Sequence, residues 1–181
     1  MNNPAQERTN VLESLGSAKR QLEKSLHADL IPPEGVSFGY AIRGARDSGG
    51  VAAIEGRIPR PSKGIAPAGG ICSFGADEEI ARVILTAMKF DPGMRSAACL
   101  AYSPRAKSVL CDDLFLEPAS CDGSGQPGIS TMDWGIASCC RKGVPDVIFW
   151  RELDVSGSRI LIFGEEPVDV LNNIIICSNR I

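Results

Sequence analysis

The 181-residue sequence contains one histidine, His27. That scarcity removes whole classes of chemistry: a Ser-His-Asp or Cys-His hydrolase would have to recruit His27, at the end of the first helical stretch, and there is no G-x-S-x-G. A histidine in that place is ordinarily solvated or a partner of the helix dipole. Neither a P-loop nor a G-x-G-x-x-G occurs. No apolar run reaches the roughly 18 residues of a membrane span, and Met1 to Asn10 is polar where a signal peptide would be apolar. A cytoplasmic protein with no membrane partner is therefore expected. No Lys/Arg run exists, and 19 basic against 22 acidic residues leave a formal net charge of -3, which argues against direct nucleic-acid binding. Seven cysteines, at 72, 99, 111, 121, 139, 140 and 177, include no CxxC pair. With one histidine for company they make no zinc site, so no metal ligand is assigned. Their expected role is buried packing in a reducing compartment, with the adjacent Cys139-Cys140 as a redox candidate.

What is present suits one soluble domain. Hydrophobic residues make up 44% and charged residues 23% of a chain long enough for a single core. Asn10 and Glu13 resemble a capping box, and Val11, Leu15, Ala18, Leu22 and Leu26 form a narrow stripe at helical spacing. This helix ends at Ile31-Pro32-Pro33-Glu34-Gly35. The expected organisation is an N-terminal helix, 1–28, packed on one domain, 29–181. Strands are expected over 36–42, 51–54, 71–74, 97–102, 147–150 and 158–163, and short helices over 103–110, 136–142 and 167–176. Loops are expected over 44–50, 56–70 and 112–128. Strands and helices alternate loosely, as in a layered α/β or α+β domain. The strongest single element runs from Phe74 to Pro92. Ile80, Val83, Ile84, Ala87 and Met88 share one face, Asp77, Glu78 and Glu79 load the first turn with acid, and Pro92 stops the helix. Helix N-termini favour anions, so three carboxylates at this one raise the question of what the turn is built to hold.

Several stretches together resemble the ThiN-type thiamine-phosphate synthase domain. They are Asp29-Leu30-Ile31-Pro32, Gly44-Ala45-Arg46, Val51 to Ile58, Phe74-Gly75-Ala76, Ala81 to Pro92, Ser130 to Gly135 and Pro145-Asp146-Val147-Ile148, in the family's order. The resemblance implies an α/β fold, a three-layer α/β/α arrangement with a mixed sheet, similar to class II aldolase-like (AraD-like) domains. It implies as ligand thiamine phosphate, or its pyrimidine diphosphate and thiazole phosphate precursors. It further implies magnesium if the domain is catalytic, and a homodimer as a family-level expectation. The ligand-binding positions implied are Arg57, Gly75, Ala76, Asp77, Glu79, Lys89, Asp91, Ser130, Thr131 and Met132. Arg57 matches the arginine of the family's Gly-Arg-Ile motif and would be the catalytic residue if activity survives. A guanidinium that grips two phosphate oxygens suits that role, and pairing with a nearby carboxylate is the equally weighted alternative.

Departures from the family pattern carry equal weight. The active family's turn runs Phe-Gly-Ala-Ser-Arg-His, and Asp77, Glu78 and Glu79 stand in the last three places. At ~4 Å two unit charges interact by roughly 4 kcal/mol near a protein surface, so free acids at this helix end would repel a phosphate. The family's glycine-lysine-glutamate-proline loop corresponds to Ser156-Gly157-Ser158, which lacks the cation, and Cys99 and Ala101 replace an expected asparagine and arginine. Two functions follow. One is a domain that binds thiamine phosphate or a related phosphorylated ligand without normal catalysis. The other is an active synthase whose carboxylates recruit magnesium to join hydroxymethylpyrimidine diphosphate and thiazole phosphate with loss of pyrophosphate. A changed ligand is a third.

Overall fold

A computed structural model describes residues 3–61, 69–122 and 132–181. The first helix, α1 (Pro4–Ser25), starts well before Asn10, because the Asn3 side chain accepts from the Ala5 N–H and Pro4 takes the first helical position. The expected capping box at Asn10 and Glu13 is thus overturned: Asn10 lies inside the helix, its side-chain oxygen accepting from Gln6 Nε2 at 3.0 Å. The stripe itself holds, since Val11, Leu15, Ala18 and Leu22 are buried.

Seven strands follow: β1 (Ser37–Ala41), β2 (Val51–Ile54), β3 (Cys72–Phe74), β4 (Ser96–Ala101), β5 (Pro118–Asp122), β6 (Val147–Arg151) and β7 (Arg159–Gly164). They form one sheet in the order β3-β2-β1-β4-β7-β6-β5, antiparallel except for the parallel pair β5 and β6. β5 falls where a loop is expected. Its opening proline and its polar Ser120 and Asp122 mask it, and both are tolerated because the strand lies at the sheet edge.

Side-chain alternation along the strands makes two apolar faces. On one, Phe38, Tyr40, Ile160 and Ile162 pack with α1, with α3 (Pro104–Ser108) and with α5 (Pro167–Arg180). On the other, Ala41, Ala53, Leu161 and Phe163 pack with α2 (Glu78–Phe90) and α4 (Trp134–Cys139). The result is a three-layer α/β/α structure with a mixed sheet. Close approach of α2 to the sheet depends on Gly39, where an added Cβ would lie 2.9 Å from Ile84 Cδ1 and 3.2 Å from the Ala52 carbonyl oxygen. Burial of eight α2 residues, from Ile80 to Met88, makes this helix part of the core rather than a surface cover. Among the described residues no helix is long and apolar enough to cross a membrane.

Candidate functional site

β2 ends in a turn in which Arg57 N–H donates to the Ile54 carbonyl at 3.2 Å, and Val36 and Ile58 then exchange backbone hydrogen bonds of 2.8 and 2.9 Å. Gly56 and Arg57 both take left-handed backbone angles, φ 70° and φ 61°. For glycine that conformation is free; for arginine it costs on the order of 1–3 kcal/mol and persists only where the surroundings fix it. What it achieves is to aim the guanidinium at the start of α2. Arg57 Nε donates to Asp77 Oδ2 at 3.0 Å, and Nη2 donates to Glu79 Oε2 at 2.8 Å. Asp77 also caps α2, its Oδ1 accepting from the N–H groups of Glu79 and Ile80. Burial works against the Arg57 charge, but the Glu79 hydrogen bond and the Asp77 carboxylate outweigh it and hold its pKa above the usual value. The Asp77 side chain is 6% exposed and that of Glu79 78%, so one partner is structural and the other free to leave.

This ion cluster forms one side of a cleft of about 260 Å³ on the α2 and α4 face of the sheet. A second pair lines the same cleft: Arg159 donates through Nε and Nη2 to the two Glu34 carboxylate oxygens at 2.7 and 2.8 Å. Its Nη1 donates to the Ser156 and Ser158 carbonyls, which fixes its direction. Burial raises the Glu34 pKa, but the Arg159 hydrogen bond and charge more than reverse this and hold it below the usual carboxylate range. Arg82, half-buried on α2, also lines the cleft, and its guanidinium has no hydrogen-bond partner among the described residues. Asp133 and Trp150 complete the charged and aromatic lining. Asp133 caps α4 by accepting from Ile136 N–H at 3.1 Å, and its own N–H donates to Thr86 Oγ1 of α2 at 2.9 Å. The Trp150 indole donates to Glu152 at 2.8 Å and packs against Gly135. Cys99 adds a neutral thiol, pushed up to about 12 by burial.

Three lining cations thus face three lining carboxylates, and two of the cations are engaged by acids. Among the described residues no group of three or more His, Cys, Asp or Glu is placed to hold a metal ion.

Of the positions expected from sequence, Arg57 and Glu79 line the cleft, and Asp77 stands directly behind them. Gly75 and Ala76 form the turn that leads into α2, Gly75 at φ 78° donating to the Val51 carbonyl, outside the cleft lining. Lys89 and Asp91 are not brought to the site. Ten residues separate Glu79 from Lys89, about 15 Å along α2, and Asp91 instead caps that far end and accepts from Gly93 N–H. Ser130 and Thr131 lie outside the described residues, while Met132 is half-buried immediately before the α4 cap. One residue past Ser156-Gly157-Ser158, Arg159 brings a cation to the cleft lining. Glu34, Arg82, Asp133, Trp150 and Arg159 were not among the expected site residues. A bulky cation opening a strand beside a Gly-Ser turn was the available signal for Arg159, and an Asp before a short helix was that for Asp133.

Residues 14–176 match the family described as thiamine-phosphate synthase ThiN. The chain is 32% identical over 156 residues to the bifunctional thiamine biosynthesis protein ThiDN of Methanocaldococcus jannaschii, a match covering 84% of this chain and 37% of that protein. It superposes on the crystal structure of the C-terminal domain of a phosphomethylpyrimidine kinase with a TM-score of 0.83 at 30% identity, covering 94% of this chain and all of that domain. It also superposes on L-fuculose-1-phosphate aldolase from Thermus thermophilus with a TM-score of 0.52 at 13% identity, covering 96% of this chain and 91% of that one, a likeness of fold alone. Across nearly its whole length, with an aldolase-like layered fold, the chain belongs to the ThiN family of thiamine biosynthesis.

Proposed function

We propose that this ThiN-family domain binds thiamine phosphate, or a related phosphorylated ligand, in the cleft between α2 and the sheet without normal synthase turnover. The observation that carries the reading is the occupation of Arg57 by Asp77 and Glu79. In sequence the three acids look like a repulsive cap. In place two of them, Asp77 and Glu79, neutralise the one cation that matches the family's phosphate-gripping arginine, and this weakens the site for the highly charged diphosphate of a synthase reaction. A monophosphate has an easier route. Exposed ion pairs contribute only about 0–1 kcal/mol, so Glu79 swings away at small cost and Arg57 offers its freed N–H groups while Asp77 holds the guanidinium in place. Arg82 supplies further positive charge, Trp150 offers an aromatic surface, and Asp133 suits the cationic ring of thiamine phosphate.

A second reading keeps catalysis, and the exposed Glu79 carboxylate favours it. Magnesium needs only one or two protein carboxylates when substrate phosphates complete its shell, so Glu79 and Asp133 would fit as its protein ligands. Such an ion would neutralise diphosphate charge, while Arg57 and Arg159 orient the substrate. Mixing the protein with hydroxymethylpyrimidine diphosphate, thiazole phosphate and magnesium decides between the two. Binding of thiamine phosphate with no product above the uncatalysed rate is expected; steady turnover abolished by Arg57→Ala would establish the synthase instead.

A further inference from the structure

The sulfurs of Cys121 and Cys139 are 3.0 Å apart, the one pair of cysteine sulfurs in contact among the described residues. Cys121 lies near the end of edge strand β5 and Cys139 closes α4. Hydrogen bonds hold them in register: Cys121 Sγ donates to the Gly135 carbonyl at 2.8 Å, and Cys139 Sγ contacts the Ser120 carbonyl at 3.6 Å. A disulfide bond is about 2.05 Å long, so the two sulfurs need approach by only about 1 Å. We propose that Cys121 and Cys139 are a thiol–disulfide site, oxidised reversibly by a low-molecular-weight disulfide, which ties β5 to α4.

The half-buried Cys139 reacts first. Its thiolate attacks one sulfur of RSSR, forms a mixed disulfide and expels RS⁻, which takes up a proton. The Cys121 thiolate then attacks the Cys139 sulfur and expels the second RS⁻. Two protein thiols thereby lose two protons and two electrons, and RSSR becomes two RSH. Burial raises the Cys121 thiol, and that burial persists in the mixed disulfide, so ring closure quickens as the pH rises. The adjacent Cys140 is not the partner: it is 1% exposed and faces the core under α4. Asp133 and Ile136, at the other end of α4, line the cleft, so oxidation fixes one of its walls to the sheet edge.

The full chain is incubated with oxidised glutathione, residual thiols are blocked, and disulfides are mapped by peptide mass. The expected result is a Cys121–Cys139 link that dithiothreitol reverses, that still forms in Cys140→Ser, and that raises the melting temperature by roughly 6–12 °C. Glutathione adducts alone, a Cys139–Cys140 or chain-to-chain link, or a Cys121–Cys139 link with an unchanged or lower melting temperature would each overturn the proposal. Because no step involves the ligand, failure to bind thiamine phosphate leaves this test intact.

Discussion

Arg57 carries a backbone conformation that an L side chain adopts at a cost, and the conformation lets it meet two carboxylates of different character. Asp77 is buried, caps α2 and accepts from Arg57; Glu79 is exposed and accepts from Arg57 alone. Their removal should therefore separate. Asp77→Ala forfeits a helix cap and a charged hydrogen bond, together about 2–4 kcal/mol, and should lower the melting temperature by roughly 5–15 °C. Glu79→Ala should stay within about 0.5 kcal/mol of wild type while tightening phosphate binding, because the competitor for Arg57 is gone. Thermal melts and titrations of the two variants check both statements. In the same cleft, the Arg159 hydrogen bond and charge hold the Glu34 carboxyl below its ordinary 4.5 in the folded state. The unfolded chain binds the proton more readily, so the Glu34–Arg159 pair stabilises the protein fully above about pH 4.5 and the gain disappears as pH falls through the lower folded value. Melting curves of wild type and Glu34→Gln should differ at pH 6–7 and converge as the pH drops below 4. At this scale the sequence conveys identities but not partners. Twenty residues separate Arg57 from Asp77 and 125 separate Glu34 from Arg159, and no local pattern encodes either pairing.

α2 is the element that links core to site, and its legibility follows from that double role. Its apolar face recurs at helical spacing because the face packs on β1 and β2, and its acids sit in the first turn because Asp77 caps it, so periodicity and cap chemistry agree. Elsewhere the local signal misleads. Asn10-x-x-Glu13 mimics a start inside α1, where an exposed Asn costs little, and β5 hides behind proline and polar residues because an edge strand needs neither a full hydrogen-bond ladder nor two apolar faces. Contact between α2 and the sheet rests on the absence of a side chain at Gly39. Gly39→Ala would force Ile84 and the Ala52 carbonyl apart and should cost about 1–3 kcal/mol, read as a lower denaturation midpoint with an unchanged slope. At α4 the same logic applies to Gly135, whose added Cβ would come within 2.8 Å of the Trp150 ring, so Gly135→Ala should perturb tryptophan fluorescence and ligand affinity together.

For the whole molecule, the layered fold was legible once family motifs were set in order, since they span the chain from the turn after α1 to β6. What the motifs could not convey is the arrangement of charge. Clefts also open along α1, beside Tyr40 and the start of α5, but Arg57 with both of its neighbouring ion pairs lies on the α2 and α4 face, in a cleft where three arginines and three carboxylates balance. Such a balance suits a ligand carrying both signs of charge better than a polyanion. In the proposed complex Arg57 receives the phosphate of thiamine phosphate, and calorimetric titration with that compound tests this directly. Micromolar binding by the wild type, weakened about 10- to 100-fold in Arg57→Ala while the fold is retained, is the predicted result. Absence of micromolar binding, or equal affinity in the two proteins, would contradict it.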